Sequence, residues 1–210
     1  MSASTTTNAW PRPLELGLRL MLAYALVIWL AHRYGRDAVE AVMPLFRTLI
    51  SILDEHGRVM SLAIVSDGAD TLVRMRVELV EDIVINGQRF AAGHYAFLPS
   101  IGTGLILQPA VIALGLVLAW PVQKALEYPL RIAVVAVLLA FVLITDAPLT
   151  LWANYVHTIV EPNAFSLLWW WEELLVNGGR LALGFLIALV AIRTADRGAK
   201  PTGSVTKASS

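Results

Sequence analysis

The chain contains no cysteine among its 210 residues. Disulfides, thiolate metal sites and cysteine nucleophiles are therefore excluded throughout its length. Charged residues are also scarce, at 15% of the chain, whereas a soluble domain carries about 25%. Basic and acidic residues balance at 16 each, so the net charge gives no argument for a nucleic-acid partner. A chain that is short of charge and 57% apolar is typical of a protein largely immersed in lipid.

The motifs of common catalytic and nucleotide-binding sites are missing as well. The four histidines are His32, His56, His94 and His157; no two are three or four residues apart, and no HExxH occurs. The chain has no GxSxG elbow, no GxxxxGK(S/T) loop and no dinucleotide-type glycine pattern. We therefore predict no metal site, no cofactor and no nucleotide, although His94 and His157 can meet if both lie outside the membrane.

Glu172 and Glu173 are the remaining candidates for acid–base chemistry. Adjacent residues of a helix point about 100° apart, which favours two solvated charges over a catalytic dyad. The sequence thus predicts a protein that is not an enzyme. A lipid-processing enzyme that uses Glu172, Glu173 or His157 stays as an alternative.

Four apolar stretches are what the chain has in abundance, at residues 14–31, 101–120, 132–151 and 174–192. A lipid core about 30 Å thick requires about 20 helical residues at a rise of 1.5 Å each. We therefore predict a membrane α-helical fold with four transmembrane helices and a small extracytoplasmic antiparallel β insert. The predicted segments are a disordered tail (1–13), helix 1 (14–34), a periplasmic segment (35–99), helix 2 (100–121), a cytoplasmic loop (122–131), helix 3 (132–151), a periplasmic Trp-rich loop (152–173), helix 4 (174–193) and a cytoplasmic tail (194–210).

Basic residues near short loops predict the orientation, because such loops stay in the cytoplasm. Lys124 and Arg131 lie between the second and third stretches, and segment 193–210 carries four basic residues against Asp196 alone. Both regions therefore read as cytoplasmic, although Arg33 and Arg36 argue locally for the opposite. We predict a multi-pass protein of the bacterial inner membrane with both termini inside.

The first external segment changes from a helical to a strand pattern. Residues 38–53 are either a helix in the headgroup layer or a continuation of helix 1 bent at Gly35. In residues 72–80, Arg74, Arg76 and Glu78 alternate with apolar side chains, which predicts a strand with one wet face. Asn86-Gly87 predicts a tight hairpin. We expect a small sheet whose wet face binds a partner.

Tryptophans dominate the second external loop, with Trp169, Trp170 and Trp171 in a row. Tryptophan favours the membrane interface, where its ring is half buried and its N–H stays wet. The run is therefore either an aromatic belt or a binding surface for a lipid or peptide.

Asp146 and Arg180 are predicted to form an ion pair inside the membrane. Asp146 follows Arg131 by 15 residues and Arg180 precedes Arg193 by 13 residues, which places them about 22 Å and 20 Å from the same membrane face. Charges at such depth are costly unless they are paired or hydrated. The pair either fixes the packing of helices 3 and 4 or forms a functional site.

Three strings carry a resemblance to a known family: GHYAFLPSIGTGLILQPAV, ITDAPLTLW and NGGRLALGFLIALVAI. With the order of spans and sheet, they resemble exosortase-associated membrane proteins, small bacterial inner-membrane proteins encoded beside exosortases. The resemblance covers residues 15–193. It implies an accessory role in sorting or processing exported proteins, with an exosortase or secretion component as partner. An exosortase itself needs a catalytic cysteine, so that enzyme is excluded and no catalytic residues carry over.

We therefore expect a non-enzymatic inner-membrane accessory or scaffold protein that presents a periplasmic surface to a membrane partner. Its predicted contact residues are Arg74, Arg76, Glu78, Trp169, Trp170 and Trp171. The alternative is a small transporter or channel subunit that uses the Asp146–Arg180 pair.

Overall fold

The fold comes from a computed structural model, which describes residues 13–53, 57–68, 70–85, 88–93, 96–122, 124–157 and 167–198. Within these residues, five α-helices, six strands and a π turn at Leu175–Gly179 are named in chain order. They are α1 (Pro13–Leu53), β1 (Gly57–Asp67), β2 (Asp70–Leu79), β3 (Ile83–Ile85), β4 (Gln88–Phe90), β5 (Ala96–Phe97), β6 (Ser100–Gly102), α2 (Thr103–Ala119), α3 (Glu127–Tyr155), α4 (Leu167–Leu174), the π turn (Leu175–Gly179) and α5 (Arg180–Gly198).

Three helical segments in the described chain are long and apolar enough to cross a membrane: 13–53, 127–155 and 169–197. The prediction of apolar membrane helices with a small antiparallel sheet is confirmed to that extent. The second predicted span is shorter than expected, because Ser100–Gly102 pair with β2 as a strand and α2 keeps 17 residues. A helix of that length reaches about 25 Å.

The first helix is much longer than one span, with 41 residues. Residues 38–53 continue α1, and Pro44 lies inside it. The Thr48 hydroxyl donates to the Pro44 carbonyl at 3.0 Å, a bond from a side chain to the backbone four residues earlier in the same helix. Gly35 is a packing position, since a Cβ built there would lie 2.5 Å from Leu107 Cδ1 of α2.

The sheet is built on one central strand. β2 pairs antiparallel with β1 on one side and with β5 and β6 on the other. Val73, Met75, Val77 and Leu79 of β2 are buried, because alternate residues of a strand point to opposite faces and one face rests on the helices. The predicted alternation in this strand is confirmed.

β3 and β4 form a separate two-stranded hairpin. The Asn86-Gly87 turn predicted to connect them lies outside the described residues. Asp82 ties this region together: it accepts the backbone N–H of Ala92 at 2.8 Å and hydrogen bonds from the Arg89 guanidinium. These contacts, led by the bond from Ala92, hold the pKa of Asp82 below its usual value.

Two apolar clusters organise the described chain. The first joins the inner face of the sheet to the C-terminal half of α1 and the end of α3, through Val39, Phe46, Ile50, Val73, Met75, Val77, Ala147, Leu151 and Tyr155. The second joins α2, α3 and α5, through Ala113, Val117, Val135, Ile187, Ala188, Ala191 and Ile192. The sheet therefore rests on helices that continue out of the apolar bundle.

Small residues allow the bundle helices to approach closely. A Cβ built at Gly184 of α5 would lie 2.7 Å from Ile112 Cβ and 2.9 Å from the Pro109 carbonyl oxygen of α2. A Cβ at Gly115 would lie 2.6 Å from the Tyr24 ring of α1. Glycine at such positions brings backbones together where lipid supplies no hydrophobic drive for helix association.

The described parts of the predicted Trp-rich loop, 152–157 and 167–173, are helical. α4 forms because Leu167, Trp170, Trp171 and Leu174 recur at the spacing of one helix face. The chain then breaks at Gly178, whose φ of +111° lies in the region that favours glycine. That break turns the chain into α5.

Candidate functional site

The candidate site is a buried cluster of Asp146, Thr150 and Arg180. Arg180 Nε donates to Asp146 Oδ2 at 2.8 Å, and Nη2 donates to Asp146 Oδ1 at 3.0 Å. Nη2 also donates to the Thr150 hydroxyl at 2.9 Å, which in turn donates to Asp146 Oδ1 at 3.1 Å. The contact expected from matched depth is therefore present, and Thr150 is a third member that sequence reasoning missed.

Local structure positions all three side chains. Asp146 and Thr150 are four residues apart on α3, so they share one face of the helix. Arg180 is the first residue of α5, directly after the π turn, and the break at Gly178 sets where that helix begins. Isolated π turns occur frequently at functional sites.

The cluster is sealed from solvent. Arg180 is 0% exposed and Asp146 is 3% exposed. The third guanidinium nitrogen, Nη1, is buried and makes no hydrogen bond in the described chain. A buried ion pair of this kind holds α3 and α5 together, and Nη1 of Arg180 can still donate to a further acceptor.

The polar group formed by Asp146, Thr150 and Arg180 lies between the two apolar clusters. Ala147, which follows Asp146, belongs to the cluster beneath the sheet, while α5 runs from Arg180 into the bundle cluster. The ion pair therefore lies where the helix bundle meets the part that supports the sheet.

Polar contacts continue outward along α3. Asn154 Nδ2 donates to Glu172 Oε1 at 2.5 Å, which joins α3 to α4. Glu173 Oε1 instead accepts from Asn177 Nδ2 at 2.7 Å. The two glutamates thus face different partners, as adjacency in a helix predicts. His157 lies beside Trp169, with ring centroids 6.2 Å apart.

A second buried arginine lies at the opposite end of the bundle. Arg131 is 1% exposed; its Nη1 donates to the Trp120 and Pro121 carbonyl oxygens at 3.2 Å each. Its Nη2 reaches Glu127 Oε2 at 3.4 Å and Asp196 Oδ1 at 3.2 Å. From the sequence, Arg131 was predicted only as a loop charge, and the sign of its buried role is Glu127, four residues earlier.

The predicted contact residues of β2 lie on the outer face of the sheet. Arg74 is bound to Asp67 at 2.9 Å, across the β1–β2 hairpin. Arg76 is exposed and makes no ion pair with a described residue, and Glu78 is half-buried. Arg76 is thus the more available of the two cations.

The three tryptophans do not act as one surface. Trp169 is half-buried and packs edge-on against Trp170, with centroids 5.4 Å apart. Trp170 and Trp171 line an open apolar groove of about 640 Å³ with Leu149, Leu167 and Leu174. The exposed aromatic surface is therefore Trp170 and Trp171.

Metal and histidine chemistry find no support in the described ranges. No group of three or more His, Asp or Glu side chains there is arranged to hold a metal ion. His56 and His94 lie outside the described residues, so the predicted meeting of His94 and His157 is not described. In comparisons with known proteins, no family model, no curated protein and no solved structure matches the chain.

Proposed function

We propose that this protein is a non-enzymatic accessory protein of the membrane that holds a small sheet outside the bilayer and presents it to a membrane-protein partner. The observation that carries the proposal is the continuity of α1. Its first part is a lipid-length apolar helix, and its outer half forms the core beneath the sheet with Val39, Phe46 and Ile50. The sheet is therefore fixed to its anchor.

The length of the first part of α1 supports a membrane boundary near His32. Residues 13–32 of α1 span about 30 Å, enough to cross a lipid core. A cavity beside His32 is also lined by Asp70, Thr71, Gly102 and Thr103, so the near end of the sheet meets α1 at that level. We place the outer boundary there, with the sheet beyond it.

The orientation that we propose puts the sheet in the periplasm and both termini in the cytoplasm. Lys124 in the short loop, and Arg193 and Arg197 at the end of α5, support it. Single-cysteine variants test it cleanly, because the chain has no cysteine of its own. A membrane-impermeant maleimide should label Ser66→Cys but not Arg197→Cys in intact spheroplasts; the opposite pattern would invert the topology.

The partner class that we propose is an exosortase or another component for sorting exported proteins. The resemblance of three sequence strings to exosortase-associated membrane proteins supports this choice. The surfaces that suit such a partner are the outer face of β2 around Arg76 and the groove lined by Trp170 and Trp171.

Site-specific photo-crosslinking in native membranes tests the proposal. A benzophenone on Arg76→Cys or Trp170→Cys should capture one defined membrane protein, identified by mass spectrometry. The matched control is Val137→Cys, an exposed position of α3 within the apolar bundle. Capture of the same protein at all three positions, or of none at Arg76 and Trp170, would reject the proposal.

A second candidate function is a small transporter or channel subunit that uses Asp146 and Arg180. The buried Arg180 Nη1 without an acceptor favours it, since ionisable groups inside membranes commonly mark transport paths. The closed geometry with Thr150 favours a structural clamp instead. Flux in proteoliposomes that Asp146→Asn abolishes, while the variant stays folded, would favour transport.

A further inference from the structure

The outer edge of the sheet is formed by β1. This strand has 11 residues and pairs with β2 along one side. β2 is covered on its other side by β5 and β6. Within the described chain no strand pairs with the second side of β1, which is about 36 Å long.

This edge has few of the features that normally prevent strands from pairing with another chain. Natural edge strands carry proline, lysine or inward charges, or are covered. β1 contains no proline and no lysine, and its charged residues, Arg58 and Asp67, stand at or next to its ends. The exposed positions between them include Ser61, Ala63 and Ser66. One irregularity, at Val59/Ser61, lies near the start of the strand.

A basic cavity lies at the Arg58 end of this edge. It has a volume of about 390 Å³ and is lined by Arg47, Thr48, Ser51, Arg58, Val59 and Val80. Neither Arg47 nor Arg58 forms an ion pair with another residue that the structure describes. The Thr48 and Ser51 hydroxyls already donate to backbone carbonyls, so the donors that the cavity offers to a carboxylate are the two guanidinium groups.

We propose that β1 binds an extended segment of a protein partner by strand addition, with an acidic side chain of that segment held in the Arg47–Arg58 cavity. Main-chain hydrogen bonds along the open edge supply affinity with little sequence preference. The carboxylate at one end fixes the register, which a uniform edge does not define. This inference rests on the proposed function and names how the partner is held.

Defined peptides test the mode of binding. The probe is a fluorescein-labelled peptide of alternating threonine and valine with lysines at its start, one glutamate near its end and an amidated C-terminus. One control peptide has glutamine in place of the glutamate. The other control peptide carries N-methyl groups on alternate amides. With the full chain in nanodiscs, the glutamate peptide should bind roughly tenfold more tightly than the glutamine peptide.

Variants of the protein separate the two parts of the site. Arg58→Gln and Arg47→Gln should each remove most of the preference for the glutamate peptide and leave binding of the glutamine peptide unchanged. Arg36→Gln is the matched control, since it removes an exposed arginine of α1 that does not line the cavity, and it should change neither. N-methylation should abolish binding, and the bound peptide should slow hydrogen exchange at alternate amides of β1.

Several results would overturn the inference. Equal binding of the N-methylated peptide would exclude strand addition, and protection of α4 instead of β1 would place the peptide elsewhere. Capture of a native partner at Arg76 together with no peptide binding would reject the edge and leave the accessory function standing. Binding at the edge without any captured partner would support the edge and reject the accessory function.

Discussion

Neutralising Asp146 tests the buried ion pair most directly. Asp146→Asn removes the charge that accepts two hydrogen bonds from Arg180. The Arg180 guanidinium stays fully buried. Its remaining hydrogen-bond acceptors are the Thr150 hydroxyl and the oxygen of the new amide. A hydrogen bond to a charged group contributes about 1.5–3 kcal/mol, and breaking a buried pair costs about 3–5 kcal/mol. We expect the free energy of unfolding to fall by about 3 kcal/mol, because the amide oxygen still accepts one hydrogen bond.

Removing both charges should reverse most of that loss. Asp146→Leu with Arg180→Met replaces the pair by apolar side chains, which commonly leaves stability unchanged or higher. The exposed pair Arg19–Glu15 on α1 is the matched control. Glu15→Gln removes the same kind of interaction at the exposed start of α1, by the proposed membrane surface, and should cost less than about 0.5 kcal/mol.

The assay is reversible unfolding in detergent micelles, followed by circular dichroism and tryptophan fluorescence. A double-mutant cycle of Asp146→Leu, Arg180→Met and the double variant gives the coupling between the two positions. If Asp146→Asn costs no more than Glu15→Gln, or if the double variant is no more stable than either single variant, the pair does not stabilise the fold as described.

Three further predictions follow from packing, charge and pH. Gly184→Val should lower the free energy of unfolding by about 1–3 kcal/mol, because a side chain there overlaps α2. Gly17→Ala should not lower it, because Gly17 lies in open space. Thermal unfolding of the two variants measures the difference. Arg131→Met should lower the free energy of unfolding by about 3–5 kcal/mol, because it breaks a buried ion pair with Glu127; denaturant unfolding measures it. The folded-state pKa of Asp82 is lowered, so its contribution is present above its unfolded pKa and lost as the pH falls below about 4. Protection factors of the β3–β4 hairpin should drop in that range, and Asp82→Asn should show no such drop.

Regular periodicity made part of the fold predictable. The alternation in β2 is local, and it identifies the buried face because a strand repeats every two residues. The Asp146–Arg180 contact follows from counting residues along helices of fixed rise. Both inferences need only geometry that every helix or strand shares.

Tertiary packing decided the features that sequence analysis left out. Pairing of residues 100–102 with β2 shortens α2, and a strand of three residues has no pattern of its own. Arg131 becomes a link between three helices because the ends of α2 and α5 meet there. Whether residues 38–53 continue α1 was decided by the sheet, which covers their apolar face.

The rod-like first helix gives the molecule a lever. Its C-terminal half extends about 30 Å past the proposed lipid boundary, and the sheet is attached along that arm. Any change in bilayer thickness that reorients the rod by about 10° would swing the far tip through about 5 Å. A change in the thickness of the membrane would thereby displace the part of the protein that lies farthest from it.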